Sequence, residues 1–196
     1  MPPDSETLAR RKTMRRTAMA ATIHRRGVAI CVVLGLIFAA ALVRASAPEQ
    51  DVPAQLKPAE GRALVAEAHA KGFQVYACKN DGKTYIWTLK GPDAELFDKA
   101  GKSVGRHFAG PTWEWSDHSQ VTGKMMTSAP SPSADSIPWL LLVATGHSGE
   151  GILAQVTNIQ RLNTKGGKAP AGGCDAGHEG QDTRVAYTAD YFFYGK

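Results

Sequence analysis

Two alternating apolar–polar runs flank an Asp-Gly step, and no other feature of the chain restricts its fold as tightly. Phe73-Gln74-Val75-Tyr76-Ala77-Cys78 alternates, Lys79-Asn80-Asp81-Gly82-Lys83 supplies a turn, and Thr84-Tyr85-Ile86-Trp87-Thr88-Leu89 returns. Successive strand residues point to opposite faces, so Tyr85, Trp87 and Leu89 share one side. Asp-Gly accepts the left-handed backbone of a hairpin turn, so the stretch predicts two antiparallel strands.

The same pattern recurs along the chain. Residues 62–71 (RALVAEAHAK) have helical propensity, yet Leu64, Ala66, Ala68 and Ala70 alternate, and the segment reads as a strand leading into Phe73. Further strands are expected at Ala94–Phe97, Val104–Ala109, Thr112–Asp117 (set off by Gly110-Pro111) and Gln120–Met126. Residues 127–136 read as a small-residue loop, and Ile137–Val143 as a strand buried on both faces. An alternating strand Ile152–Leu162, a Gly-rich loop over 163–184 and an aromatic final strand Val185–Tyr194 complete the pass. Short strands separated by turn signals, without a long amphipathic helix, predict an all-β fold: one antiparallel β-sandwich or barrel over 62–196 after an extended lead-in at 48–61.

The first 47 residues read as an address. Arg10, Arg11, Lys12, Arg15, Arg16, Arg25 and Arg26 precede an apolar run from Gly27 to Val43, and Ala45-Ser46-Ala47 follows. Charged, apolar and small-residue regions in that order describe a bacterial export signal. The alternative is an uncleaved N-terminal anchor, since 17 apolar residues fall just short of a typical span. Cys31 lies in that run without a convincing lipobox, and Arg25-Arg26 matches a twin-arginine signal poorly. A periplasmic or secreted domain is expected, with membrane attachment only through an uncleaved leader.

Removing the leader changes the charge. The whole chain carries 23 Lys+Arg, 18 Asp+Glu and a net charge of +5. Eight of the bases and two of the acids belong to residues 1–47, which leaves 15 bases against 16 acids. A nucleic-acid partner needs a basic face, and the remaining segment has no basic run.

Two cysteines remain, Cys78 and Cys174. An even pair in an oxidising compartment reads first as a disulfide, the alternative being two buried thiols. No C-x-x-C occurs, so neither a zinc nor a redox motif is indicated.

Several segments together carry a family resemblance. They are Gly72–Cys78, Gly105-Arg106-His107-Phe108-Ala109-Gly110-Pro111-Thr112-Trp113-Glu114, Ile137–Leu142, Asn163–Pro170, Cys174-Asp175 and Tyr187–Phe193. Over about residues 60–194 the chain resembles a secreted bacterial and fungal family known as domain of unknown function 3455. The resemblance implies a secreted β-rich domain and no particular activity. It departs at His118, where the family's turn resembles Asp-Gly-Ser, so His118 is not expected to carry shared chemistry.

No nucleophile elbow, phosphate loop, dinucleotide fingerprint or His-Glu-x-x-His motif is present. The candidate catalytic residues are His107, Glu114 and Asp117, with His118 nearby. A histidine beside a carboxylate makes a general base or two-thirds of a metal site. The plainer reading has His107 hydrogen-bonded at the bend before Gly110-Pro111. Trp87, Trp139 and Tyr191 are the candidate binding aromatics, against a default role in the core. Arg161 and Asp190 are charges within strand patterns, placed either as a buried pair or on solvent faces. No metal and no cofactor is indicated. The leading expectation is non-enzymatic binding of an envelope or extracellular ligand. The alternatives are a hydrolase or metal-dependent enzyme centred on His107 and Glu114, and a purely structural envelope protein.

Overall fold

The computed structural model describes residues 51–196. The leader, Cys31 and the expected cleavage positions lie outside the described residues. Eight strands follow one another: β1 (Ala63–Asn80), β2 (Tyr85–Phe97), β3 (Ser103–Phe108), β4 (Thr112–Trp115), β5 (Gln120–Ala129), β6 (Trp139–Ser148), β7 (Val156–Gly166) and β8 (Asp182–Gly195). Each pairs antiparallel with the next, and β8 returns to β1 from Ala63↔Gly195 to Ala77↔Asp182. The result is a closed barrel rather than a sandwich. Closure leaves no unpaired edge along β1 and β8, the exposed flank that open sheets must protect.

The strand pattern sets what fills the barrel. Ala66, Ala68 and Ala70 of β1 point inward with Tyr187, Ala189, Tyr191 and Phe193 of β8. Small residues on one strand leave room for large rings on its neighbour, so the volumes interdigitate. Trp113, Val121, Ile159 and Leu153 complete this inner core.

A second, smaller core lies on the outside. Leu56, Ala129, Trp139, Leu141 and Leu162 pack together, with Val52 and Phe192 against them. Leu56 ends a short 3-10 turn, Ala54–Leu56. Its carbonyl accepts a hydrogen bond from Gln160 Nε2 at 2.7 Å. The lead-in is therefore a cover for the outer face of β5–β7, and not simply an extended tether. That cover buries Trp139 and Leu141 on one side of β6, while Leu142 on the other side belongs to the inner core.

Some element boundaries differ from the sequence reading. Ala94–Phe97 is the second half of β2, because a bulge at Lys90, opposite Val75/Tyr76, lets Gly91 and Pro92 stay paired with β1 without ending the strand. Gly91 has φ 149°, and a Cβ there would lie 2.8 Å from Ala109, so both backbone and space demand glycine. The β1–β2 connection is a four-residue loop in which Asp81 Oδ1 accepts hydrogen bonds from the Lys83 and Thr84 amides, and only Gly82 is left-handed. β5 runs on to Ala129, into the expected loop, and β7 starts at Val156 rather than Ile152. The turn before it is held from elsewhere: the Ile152 amide donates to Asp117 Oδ2 at 2.8 Å. β7 continues to Gly166 and β8 begins at Asp182, which shortens the Gly-rich loop at both ends. Cys78 and Cys174 form a disulfide with Cα atoms 5.3 Å apart.

Candidate functional site

β3 and β4 are the short strands, and their shortness makes an opening. β3 pairs with β2 only from Asp93 to Phe97, and β4 pairs with β5 only from Gln120 to Thr122. Above the Gly110-Pro111 bend, β2 and β5 have no neighbour on that side. A cavity of about 740 Å³ opens at this notch. Leu89, Lys90, Lys124 and Met125 stand at its rim, while His107, Trp113, Leu140, Leu142, Arg161 and Tyr191 line its wall. Beyond this layer the barrel is filled by its aromatic core.

His107 lies in β3 and is 3% exposed. Its Nδ1 sits 2.8 Å from the Thr112 carbonyl oxygen. A carbonyl only accepts, so the proton is on Nδ1 and Nε2 carries a lone pair. Burial pushes the imidazole pKa down to about 3; the Thr112 carbonyl opposes this and Arg161 adds to it. The ring is stacked on Trp113 at 4.2 Å between centroids and meets Tyr191 edge-on at 5.0 Å.

Glu114 is on the opposite face of the wall. In the β3–β4 register Arg106 faces Glu114 and His107 faces Trp113, so His107 and Glu114 point to opposite sides. Glu114 accepts two hydrogen bonds from Arg106, at 3.2 and 3.1 Å, and one from Gln120 Nε2 at 2.5 Å. The Arg106 hydrogen bonds hold its carboxyl below the usual range. Asp117 belongs to neither group. It accepts hydrogen bonds from the Ser119 amide, the Ser119 hydroxyl and the Ile152 amide, which lower its pKa. It thereby clamps the β4–β5 turn to the β6–β7 turn. His118 has φ 66°, a backbone that glycine adopts freely, in the turn before β5. The structure therefore does not bring His107, Glu114 and Asp117 together. Among the described residues no group of three or more His, Cys, Asp or Glu is arranged to hold a metal ion.

The three candidate aromatics part company. Tyr191 is fully buried and lines the cavity. Trp139 faces outward, into the small core under Leu56. Trp87 Nε1 donates to the Gly172 carbonyl at 2.9 Å, so its indole anchors the loop that Cys174 also pins.

Gln74 and Arg161 are wall residues that the sequence reading did not assign to a site. Gln74 is 2% exposed, in phase with the inward alanines of β1, and its Nε2 has no hydrogen-bond partner. A polar residue in phase with an apolar strand face was the available signal. Trp113 Nε1 and the Tyr191 hydroxyl are likewise buried without a well-aligned partner. Burial raises the pKa of Tyr191, while the neighbouring Arg161 charge opposes the shift. Arg161 Nε and Nη2 both donate to the Pro138 carbonyl, at 3.2 and 2.9 Å. Arg161 and Asp190 do not pair: Asp190 is outside, bound to His69 and Asn163.

Neither the curated proteins nor the solved structures contain a match to this chain. A sequence family described as "Protein of unknown function (DUF3455)" matches residues 58–195, a span that takes in all eight strands and the whole cavity wall. A match over that much of the sequence places the chain in the DUF3455 family.

Proposed function

We propose that this is an exported binding domain whose barrel takes a small ligand through the notch above Gly110-Pro111. The observation that carries the reading is the wall of the 740 Å³ cavity, where apolar side chains surround buried polar atoms that lack protein partners. Concave, mainly apolar pockets with a few convergent polar groups are the usual form of small-molecule sites. His107 supports binding over proton transfer. It is neutral over the physiological range, its Nδ1–H is committed to Thr112, and no carboxylate reaches it.

Residues 1–47 support export, and the disulfide supports an oxidising compartment. The reading places the domain in the periplasm or outside the cell, with a mature start near Ser46 to Pro48. N-terminal sequencing of the envelope-fraction protein tests this; an intact leader in a washed membrane pellet identifies an anchor instead.

The binding test uses N-phenyl-1-naphthylamine, an uncharged fluorophore that brightens in apolar surroundings. The chain expressed with its own leader should bind it saturably. Leu140→Trp, which puts an indole into the cavity, should weaken binding at least tenfold without lowering the melting temperature by more than a few degrees. No saturable binding, or equal binding by the filled variant, rejects the reading.

A further inference from the structure

The cavity wall has cations and no acid. Its lining includes Lys90, Lys124 and Arg161, and neither an aspartate nor a glutamate. Lys90 is neutralised by Asp182 at 2.6 Å. Among the described residues Arg161 and Lys124 take part in no ion pair, although Lys99, Arg106 and Arg184 each have an acidic partner. Arg161 is the unusual case, because it is half-buried and lies on the inward side of its strand, opposite Tyr191. Charged side chains withdrawn from water are normally paired.

A guanidinium has five N–H groups. The Pro138 carbonyl takes one from Nε and one from Nη2, and the other three have no well-aligned partner among the described residues, although the Tyr191 hydroxyl lies close enough for a loose contact. The groups around it include further donors, beside the His107 Nε2 lone pair. Trp113 Nε1 can only donate, Gln74 Nε2 has no partner, and the Tyr191 hydroxyl has only loose contacts with Arg161 and Tyr187. Next to this donor-rich region the wall becomes apolar through Leu140 and Leu142, continuing to Leu89 and Met125 at the rim. Leu89 and Met125 are more than half exposed, although both are large and apolar.

We propose that the cavity takes an amphipathic carboxylate, with its anionic head on Arg161 and its apolar body against Leu140, Leu142, Leu89 and Met125; this rests on the barrel being a ligand-binding site. A carboxylate supplies the counter-charge that Arg161 lacks and acceptor positions for its remaining N–H groups. Lys124 at the rim adds attraction for an approaching anion that salt screens, whereas Arg161 acts at short range inside the wall.

The test displaces N-phenyl-1-naphthylamine with decanoate, decanol and decylammonium, which share one chain length and differ in head group. Decanoate should bind about tenfold more tightly than decanol, with decylammonium weakest, as expected when charge-assisted hydrogen bonds replace neutral ones. Arg161→Met should abolish the preference for decanoate over decanol. Lys124→Ala should weaken decanoate by no more than about threefold, an effect that high salt removes. Equal displacement by decanol and decanoate overturns the carboxylate assignment and leaves the binding site intact. Failure of the fluorophore to bind overturns both. The head-group comparison on the native chain needs no variant, so a folding defect in Arg161→Met leaves the proposal falsifiable. An Arg161→Met protein that binds decanol normally and still prefers decanoate also overturns it.

Discussion

The imidazole of His107 lies flat on the indole of Trp113, with planes 8° from parallel and centroids 4.2 Å apart. The two residues face each other across β3 and β4, and the same imidazole bonds Thr112 at the start of β4. His107 thus fixes the bend that shapes the cavity mouth. His107→Ala removes the ring and leaves the Thr112 carbonyl without its donor. The expected loss is about 2–4 kcal/mol of stability, read by denaturant unfolding.

The depressed pKa of His107 has a defined sign in the pH dependence. Folded His107 titrates at about 3 and the unfolded residue near 6.5, so between those values the unfolded chain binds the extra proton. Stability from this group is full above about pH 6.5 and declines as pH falls through the window, by at most about 1.4 kcal/mol per pH unit. His107→Gln should flatten that part of a stability–pH curve. An unchanged slope between pH 4 and 6 contradicts a neutral, buried imidazole.

Glu114 should be dispensable where His107 is not. Its partners Arg106 and Gln120 are on the outer face, and Arg106 is largely exposed. Glu114 itself is mostly covered, but its Arg106 partner stands in solvent, and solvent-screened ion pairs contribute about 0–1 kcal/mol. Glu114→Gln is expected to leave fluorophore binding unchanged and to shift stability by less than about 1 kcal/mol. Loss of binding in this variant restores a shared His107–Glu114 site.

Removing residues before Lys57 together with Leu56 should damage the domain although no strand is touched. Leu56 is fully buried over Trp139, Leu141 and Leu162. Leu56→Ala alone should cost about 2–5 kcal/mol. A chain starting at Lys57 should show red-shifted tryptophan emission from uncovered Trp139 and a tendency to aggregate.

The disulfide joins β1 to the loop before β8 across a sequence separation of 96 residues. Closing a loop of that length is worth about 4–5 kcal/mol in the chain-entropy account. Unfolding midpoints should fall strongly on reduction. Proteolysis of the reduced protein should cut first within 167–181, where Cys174 and the Trp87–Gly172 hydrogen bond hold the loop.

The sequence by itself determined the strand content, the break at Gly110-Pro111, the pairing of the two cysteines and the family. Those signals are local, carried by alternation, turn chemistry and a cysteine count. Tertiary structure decided the rest. A strand's period of two says which residues share a face, but it does not say which face is inside. His107 and Glu114 were near in sequence and are separated by the thickness of the barrel wall, because their register places them on opposite faces. β7 was less legible still, since Leu56 covers its outer side and both Ile159 and Gln160 are buried, which erases the contrast that would have marked Arg161 as inward. Trp139 and Tyr191 read alike as strand aromatics; closure of β8 onto β1 put one in the cavity wall and the lead-in sealed the other outside.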